Sequence, residues 1–510
     1  MANTINIPKS HLIMGLSLPL AVLIGYFLAE PMELGSMAVV VAVLTVLCIP
    51  LMMRWYYPVL VFCWNATLTL SLLPGGLGFW SVMAFIGLLF AILGRAVNPS
   101  ARFIVVPSLT RSWLLLAAVI VLTGLLTGGF GARALGSGHY GGSRYFTALA
   151  AIAGYFAFTS RRIPPHRAGV YVACFFLSGL TGIIGNLAVA AGPPFHFLLS
   201  IVAPAFAQEQ ISAQGALSGG MVRITGLIVA GSAIYTYLLA RFGIRGLLDL
   251  SRPWRLPLFL VAAGAGLFGG FRSYVALFGL TFIALFFLEG LHRTRYLPVL
   301  LGILLLGGLI VLPQANKLPL VAQRALSFLP GRFDYFAVHS AQTTLDWRWE
   351  MWKQVWPEVP QHLFRGKGFA FDPQDAFLAG EAQLRFQSEF VASTIVVGDY
   401  HNGPLSILVP LGIYGLVAFL WIIIAGLRVL YRNYRSGSPD YRNVNALILA
   451  LFAAHALFFF VGFGSLYSDL AYFAGLLGLS VALNGAEPSL LPRAEQPAAG
   501  VELNTEYVRV

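Results

Sequence analysis

Leu297-Pro298-Val299-Leu300-Leu301-Gly302-Ile303-Leu304-Leu305-Leu306-Gly307-Gly308-Leu309-Ile310-Val311-Leu312-Pro313 is an unbroken run without a charged or amide side chain. At about 1.5 Å of rise per residue it reaches about 25 Å as a helix, close to the hydrocarbon thickness of a bilayer. Runs of the same kind recur on both sides of it. Hydropathy places about fourteen spans, near 12–29, 36–53, 57–73, 78–94, 112–128, 145–160, 168–190, 222–240, 256–271, 273–290, 297–313, 402–426, 444–463 and 469–485. The segment 193–207 is apolar but broken by prolines, and reads as re-entrant or interfacial.

The bulk numbers agree. Of 510 residues, 58% are hydrophobic and 10% charged, with a mean hydropathy of +0.79, against about 25% charged in a soluble domain. A chain this apolar cannot cover its surface with polar groups in water. Inside lipid the backbone must satisfy its own hydrogen bonds, which selects helices. A membrane β-barrel needs alternating segments of about ten residues, and none is visible. The expected fold is therefore all-α, a polytopic transmembrane helical bundle of about 12–14 spans.

The net charge of +12 does not point to nucleic acid, because no compact basic domain carries it. It sorts along the chain instead. With the N-terminus inside, the inside loops hold Arg54; Arg95, Arg102 and Arg111; Arg161, Arg162 and Arg167; Arg241, Arg245, Arg252 and Arg255; Arg293 and Arg295; and Arg428, Arg432, Arg435 and Arg442. Few acids accompany them, such as Asp249 and Asp440. This is the positive-inside pattern. Lys9 and His11 precede the run from Leu12 to Ala29, and no convincing small-residue cleavage site follows, so that run reads as a retained first helix. Cys48, Cys63 and Cys174 all fall in apolar runs and read as small core residues.

This topology puts a long polar segment, about 314–401, on the outside. It also puts Arg133, Arg144, Arg223, Arg272, Arg348 and Arg365 there, where the charge rule does not explain them. Scattered surface arginines are one reading; as a set, binding of an anion is the better one. Arg272 stands out, because it closes Gly269-Gly270-Phe271 and opens Ser273-Tyr274-Val275. With little loop on either side it is held at the membrane edge, where a charge needs a partner or must snorkel.

Within the outside segment, Asp346–Trp356 reads as a short amphipathic helix. Trp349, Trp352 and Trp356 are spaced to share one face, with Arg348 beside it. Anchoring at the interface and reach toward an anionic headgroup are compatible there. The helix is expected to end before Pro360. Gly366-Lys367-Gly368 permits a tight turn or close approach but lacks the strand–turn–helix setting of a nucleotide loop. Asp399-Tyr400-His401-Asn402 stands at the mouth of the next span, and Gly412 and Gly415 within that span permit close helix packing. No Asp/Glu/His cluster with metal-ligand spacing is visible, so no metal or other cofactor is expected.

Arg272-Ser273-Tyr274, Arg348-x-x-x-Trp352, Gly366-x-Gly368, His401-Asn402 and Gly412-x-x-Gly415 follow one another in that order. In this the chain resembles the O-antigen ligase and polysaccharide polymerase superfamily, best over roughly 260–425. The resemblance implies a bacterial inner-membrane protein with both termini cytoplasmic. Hydropathy and loop charge place bundle helices over 1–313, the outside loop with short helices over 314–401, periplasmic by the resemblance, and helices over 402–485. The polar, Pro- and Ala-containing tail over 486–510 reads as disordered and cytoplasmic.

The resemblance further implies a metal-independent, inverting glycosyltransferase. It would move a glycan from an undecaprenyl-diphosphate-linked donor to an acceptor hydroxyl at the periplasmic face. Arg272 and Arg348 would bind the diphosphate, with Arg144 and Arg223 as further candidates. His401 would be the base, with Asp399 close enough in sequence to orient it. Asn402, Arg365 and Trp352 would position the acceptor or the loop. The acceptor class stays open among lipid A core, a growing exopolysaccharide or other glycan, and a protein hydroxyl, because the N-terminal part is about two spans longer than the dozen expected of ligases. Two other classes compete. A transporter or lipid-linked oligosaccharide flippase calls for mid-span carboxylates and repeated halves, which are not evident. A non-catalytic scaffold leaves the outside arginines and His401 without a role.

Overall fold

The computed structural model describes residues 51–70, 77–98, 102–128, 142–202, 223–370 and 400–486, with residues 22, 25, 49, 130 and 398 singly. The chain divides into two units, Met1–Tyr57 and Pro58–Val510. In the first, residues 51–57 are helical; the expected spans 12–29 and 36–53 lie almost wholly outside the described residues. The second unit holds every helix from Phe79 onward.

The protein is an all-α polytopic membrane protein. Eight helices among the described residues are long and apolar enough to cross a bilayer, and the shorter apolar helices Arg255–Gly269 and Arg272–Leu288 accompany them. In chain order the helices are α1 (Phe79–Val97), α2 (Pro107–Thr127), α3 (Gly142–Phe158), α4 (Ala168–Leu177), α5 (Gly182–Ala191), α6 (Gly226–Leu247), α7 (Arg255–Ala265), α8 (Arg272–Leu288) and α9 (Tyr296–Val311). Then come α10 (Leu320–Leu326), α11 (Tyr335–Val355), α12 (Val359–His362), α13 (Gly403–Ser436), α14 (Arg442–Val461) and α15 (Leu466–Asn484). The run Leu297–Pro313 falls mostly in α9, which buries no residue. A helix apolar all round with no buried face is suited to lipid.

The expected span 57–73 is shorter than its hydropathy suggests. Its helix stops at residue 63, and β1 (Thr69–Leu70) pairs antiparallel with β2 (Leu77–Gly78). Polar side chains cause the stop: Asn65 Nδ2 donates to the Phe175 carbonyl at 2.8 Å, and the Thr67 amide donates to Thr181 Oγ1 at 2.9 Å. The proline-broken segment forms 3₁₀ turns over Pro193–Ser200.

Small residues and amides join the spans. Helix α3 packs on α1 and α15, α2 on α13, α6 on α7, and α8 on α14. Trp64 is wedged between α3 and α15: a Cβ on Gly154 would lie 2.1 Å from its ring and one on Gly475 2.0 Å from its Nε1. The α13–α14–α15 contact is closed at one end by buried amides. Asn433 Nδ2 donates to Ser480 Oγ at 3.0 Å, and Asn445 and Asn484 exchange side-chain bonds at 2.9 Å. Such groups hold membrane helices together where apolar burial gives no preference.

Candidate functional site

The site is assembled around the turn before α8. Gly270 is left-handed there (φ +70°), and a Cβ on it would meet Val321 at 2.9 Å. Tight turning exposes two carbonyls, and each takes a guanidinium. Arg223 Nε donates to the Gly269 carbonyl at 3.1 Å, and its guanidinium lies 4.1 Å over the Phe271 ring. Arg324 Nη1 donates to the Gly270 carbonyl, while its Nε and Nη2 reach Ser340 Oγ (3.0 Å) and Thr344 Oγ1 (3.2 Å). Arg272 Nη2 donates to the Ala341 carbonyl at 2.7 Å. Three half-buried arginines from separate parts of the sequence thus meet at one turn. Arg324 has little to mark it in the sequence; it is a cation within the short apolar stretch Leu320–Leu326, on the side where positive charge is otherwise unexplained.

Helix α11 links this cluster to a second one. It runs from Tyr335 to Val355 with Asp334 as its cap (Oδ1 to the Phe336 amide, 2.8 Å), and so starts well before the expected Asp346. It ends at Val355, before Pro360 as expected, and a 3₁₀ turn over Trp356–Glu358 leads into α12, whose first turn holds Pro360. Proline is tolerated there because its missing N–H would be unpaired in any case. Ala341, Thr344 and Arg348 follow i, i+3, i+7 and lie along one face of α11. Arg348 therefore stands two turns, about 10 Å, along the axis from the residue holding Arg272.

At Arg348 the surroundings become aromatic. Its guanidinium lies 4.9 Å from the Phe463 ring centre and 5.6 Å from that of Trp347. His401 stacks on the same Phe463 ring (5.0 Å, 27°) and meets Trp347 edge-on (5.2 Å, 75°). Among the described residues His401 is the single non-glycine with positive φ, +47°. Asn402 follows as the cap of α13, its Oδ1 accepting from the Leu405 amide at 3.1 Å. Trp352 Nε1 donates to the Tyr400 carbonyl at 2.8 Å and so fixes the residue before His401. Tyr400 is buried in a cluster with Met351, Val355, Leu405 and Val409, and burial pushes its phenol above the ordinary range, with the Glu358 carboxylate raising it further and Arg144 opposing.

The other predicted residues make contacts of their own. Arg144 lies 4.9 Å over the Tyr467 ring, and its Nη1 would be 3.1 Å from a Cβ on Gly398. Arg365 instead donates through Nη2 to the Leu126 carbonyl at the end of α2. Trp349 and Trp356 are exposed, whereas Trp352 is half-buried against Tyr400, so the three indoles do not form one uniform anchoring face. Asp399 and Arg133 lie outside the described residues.

The two glycine motifs answer each other. Helix α13 is broken at Gly412 (φ +66°), just after Pro410. The freed Val409 and Pro410 carbonyls accept from the Lys367 and Gly368 amides at 2.8 and 2.9 Å, and the Ile413 amide donates to the Leu363 carbonyl at 2.7 Å. Both Gly366 and Gly368 are left-handed (φ +74° and +77°). A Cβ on Gly366 would lie 2.3 Å from the Pro410 carbonyl oxygen, and one on Gly412 2.6 Å from that of Leu363. Backbone thus docks on backbone, a few residues beyond His401. Lys367 Nζ adds an ion pair to Glu358 at 2.8 Å.

Between the spans lies a cavity of about 580 Å³ whose wall includes Phe271, Ser273, Tyr274, Tyr235, His455 and Tyr472. Its rim shares Phe271 with the Arg223 contact. Among the described residues no group of three or more His, Cys, Asp or Glu is placed to hold a metal ion.

Residues 257–420 match a family model described as O-antigen ligase (Wzy_C). Over these residues, about a third of the chain, the protein is similar to the O-antigen ligase family. The matched stretch runs from before Arg272 to beyond Gly415. It takes in Arg324, Arg348, both glycine motifs and His401, and leaves out Arg144, Arg223 and Phe463. No curated protein matches the chain.

Proposed function

We propose that this protein transfers a glycan from an undecaprenyl-diphosphate carrier to an acceptor hydroxyl at the periplasmic face of a bacterial inner membrane. The loop 314–401 then faces the periplasm, and the tail 486–510 the cytoplasm. The reading is carried by one arrangement: α11 places Arg348 and His401 on a shared aromatic pair, while Arg272, Arg223 and Arg324 gather two turns away along the same helix.

In this reading Arg272 and Arg348 bind the donor diphosphate, with Arg144 and Arg223 as further candidates, and Arg324 holds the turn beside Arg272. Guanidinium forks match phosphate oxygens and neutralise the charge that grows as the sugar C1–O bond to phosphate breaks. The electron pair leaves with undecaprenyl diphosphate. The acceptor oxygen forms the new bond to C1 from the opposite side, inverting the anomeric centre. His401 takes the hydroxyl proton and passes it to water. No step requires a metal. Asn402 and Trp352 hold the backbone on either side of His401, and Arg365 fixes the loop to α2 rather than touching the donor.

Transfer from an undecaprenyl-diphosphate-linked glycan in proteoliposomes tests this. Wild-type protein should form product without nucleotide or metal, and the product identifies the acceptor. Arg272→Ala should lose about 10²–10³-fold in rate and His401→Asn about 10²–10⁴-fold. Full activity in both variants would remove the site. Movement of the carrier across the bilayer without transfer would replace the transferase reading by a flippase.

A further inference from the structure

Helices α14 and α15 are joined by residues 462–465, and this connector carries Phe463, the ring on which Arg348 and His401 both rest. Its backbone is held from three sides. The Gly462 and Phe463 amides return to the Phe458 carbonyl at 2.8 and 3.0 Å. The Leu466 amide donates to Ser406 Oγ at 3.0 Å, which ties the start of α15 to the start of α13, next to His401. The third side is Asp469, whose Oδ2 accepts from the Ser465 amide at 2.8 Å.

The other oxygen of Asp469, Oδ1, meets His455 Nε2 at 3.0 Å. His455 comes from α14, lies tilted against the Tyr472 ring at 4.3 Å and lines the cavity. Both side chains are largely buried, 17% and 16% exposed. A carboxylate within apolar helices is costly, and a simple clasp between α14 and α15 does not need one. At the opposite end the same two helices are joined by uncharged Asn445 and Asn484. What Asp469 adds is a second acceptor oxygen directed at the connector backbone.

We infer that His455 and Asp469 form a positioning pair for the transfer site: His455 orients the Asp469 carboxylate, which fixes the connector and so sets Phe463 beneath Arg348 and His401. The pair acts through Phe463 and touches no substrate. The inference rests on the transferase reading.

The test uses full-length protein in proteoliposomes. Asp469→Ala and Phe463→Leu should each lower kcat for transfer about 10- to 100-fold, the penalty of a small misplacement, with the donor KM little changed. The double variant Asp469→Ala/Phe463→Leu should be no slower than the worse single variant, because both remove one device. Asp469→Asn keeps an acceptor for the Ser465 amide and a polar group for His455, and should restore most of the rate. Losses that multiply in the double variant, or a wild-type rate in Asp469→Ala, would overturn the inference. A second arm needs no activity. Spin labels at Val461→Cys and Leu345→Cys, both exposed, in a background without the native cysteines, should give a narrow distance distribution that broadens on adding Asp469→Ala. An unchanged distribution overturns the positioning role whatever the chemistry. A broadened one in a protein that transfers nothing from any donor overturns the transferase reading instead.

Discussion

Arg348 and His401 lie 53 positions apart in the chain, yet their side chains share one ring, Phe463, at 4.9 and 5.0 Å from its centre. Trp347 touches both as well. A cation and an imidazole are thus held close together on shared aromatic faces. Three segments supply this arrangement: α11, the mouth of α13, where Trp352 holds the Tyr400 carbonyl, and the α14–α15 connector.

The backbone at His401 makes a prediction that separates folding from chemistry. Its φ of +47° suits asparagine far better than a β-branched residue. Proteoliposome transfer should be lost in both His401→Asn and His401→Val. In a thermal unfolding scan, only His401→Val should also lose stability, by about 1–3 kcal/mol. Equal stability of the two would show that the left-handed turn is unconstrained.

Arg324 is expected to matter although it does not line the cavity between the spans. It closes the Gly270 carbonyl, Ser340 and Thr344 at once, so Arg324→Met leaves a partly buried carbonyl without that partner. Stability should fall by about 1–3 kcal/mol, and transfer should fall with it because Arg272 loses a fixed neighbour. Arg324→Lys should recover only part of both, since one ammonium does not reproduce a planar fork serving three acceptors. Thermal scans and rates on the same preparations decide it; an inert Arg324→Met would sever the turn from the site.

The clamp between Gly366 and the α13 break should be intolerant of a single methyl group. Gly366→Ala and Gly412→Ala each combine a left-handed backbone with a Cβ under 3 Å from a carbonyl oxygen. Each should cost at least about 2 kcal/mol. Gly279→Ala is the control, because a Cβ there meets nothing within 4 Å and alanine favours the helix. A shared loss in all three would point to general sensitivity of the bundle instead of the clamp.

Most of the described spans are legible from apolar run length, since bilayer thickness leaves little freedom. The span at 57–73 comes out too long because Asn65 and Thr67 are polar enough to end a helix but too few to move a hydropathy average. Arg272 is readable from its confinement between two apolar runs. The GxG and GxxG motifs are readable as close approaches, though not as partners, because pairing across 46 positions is a property of the fold. Phe463 and Trp347 are invisible as site residues. An aromatic at the end of a span looks like an interfacial anchor until the neighbouring loop is placed on it. Asp469 is hidden for a similar reason: its two bonds go to residues four and fourteen positions away, and neither spacing announces a device.

Tyr400 offers a discrimination between two candidate proton acceptors one residue apart. A phenol accepts a proton only as phenolate. Burial opposes that charge, and so does the Glu358 carboxylate, which together outweigh Arg144; the folded pKa therefore lies above the ordinary value of about 10. Holding the phenol neutral contributes to stability below the ordinary tyrosine range, and that contribution is lost as pH rises through the raised folded value. Tyr400→Phe should thus leave the pH dependence of transfer unchanged from about pH 5 to 9, a range below the ordinary titration of a phenol. Its rate should also hold, because the Trp352 bond goes to the Tyr400 backbone carbonyl, which phenylalanine keeps. The same variant should resist alkaline unfolding slightly better than wild type. A rate that collapses in Tyr400→Phe while His401→Asn retains activity would assign the proton to the phenol and leave His401 as a stacked ligand contact.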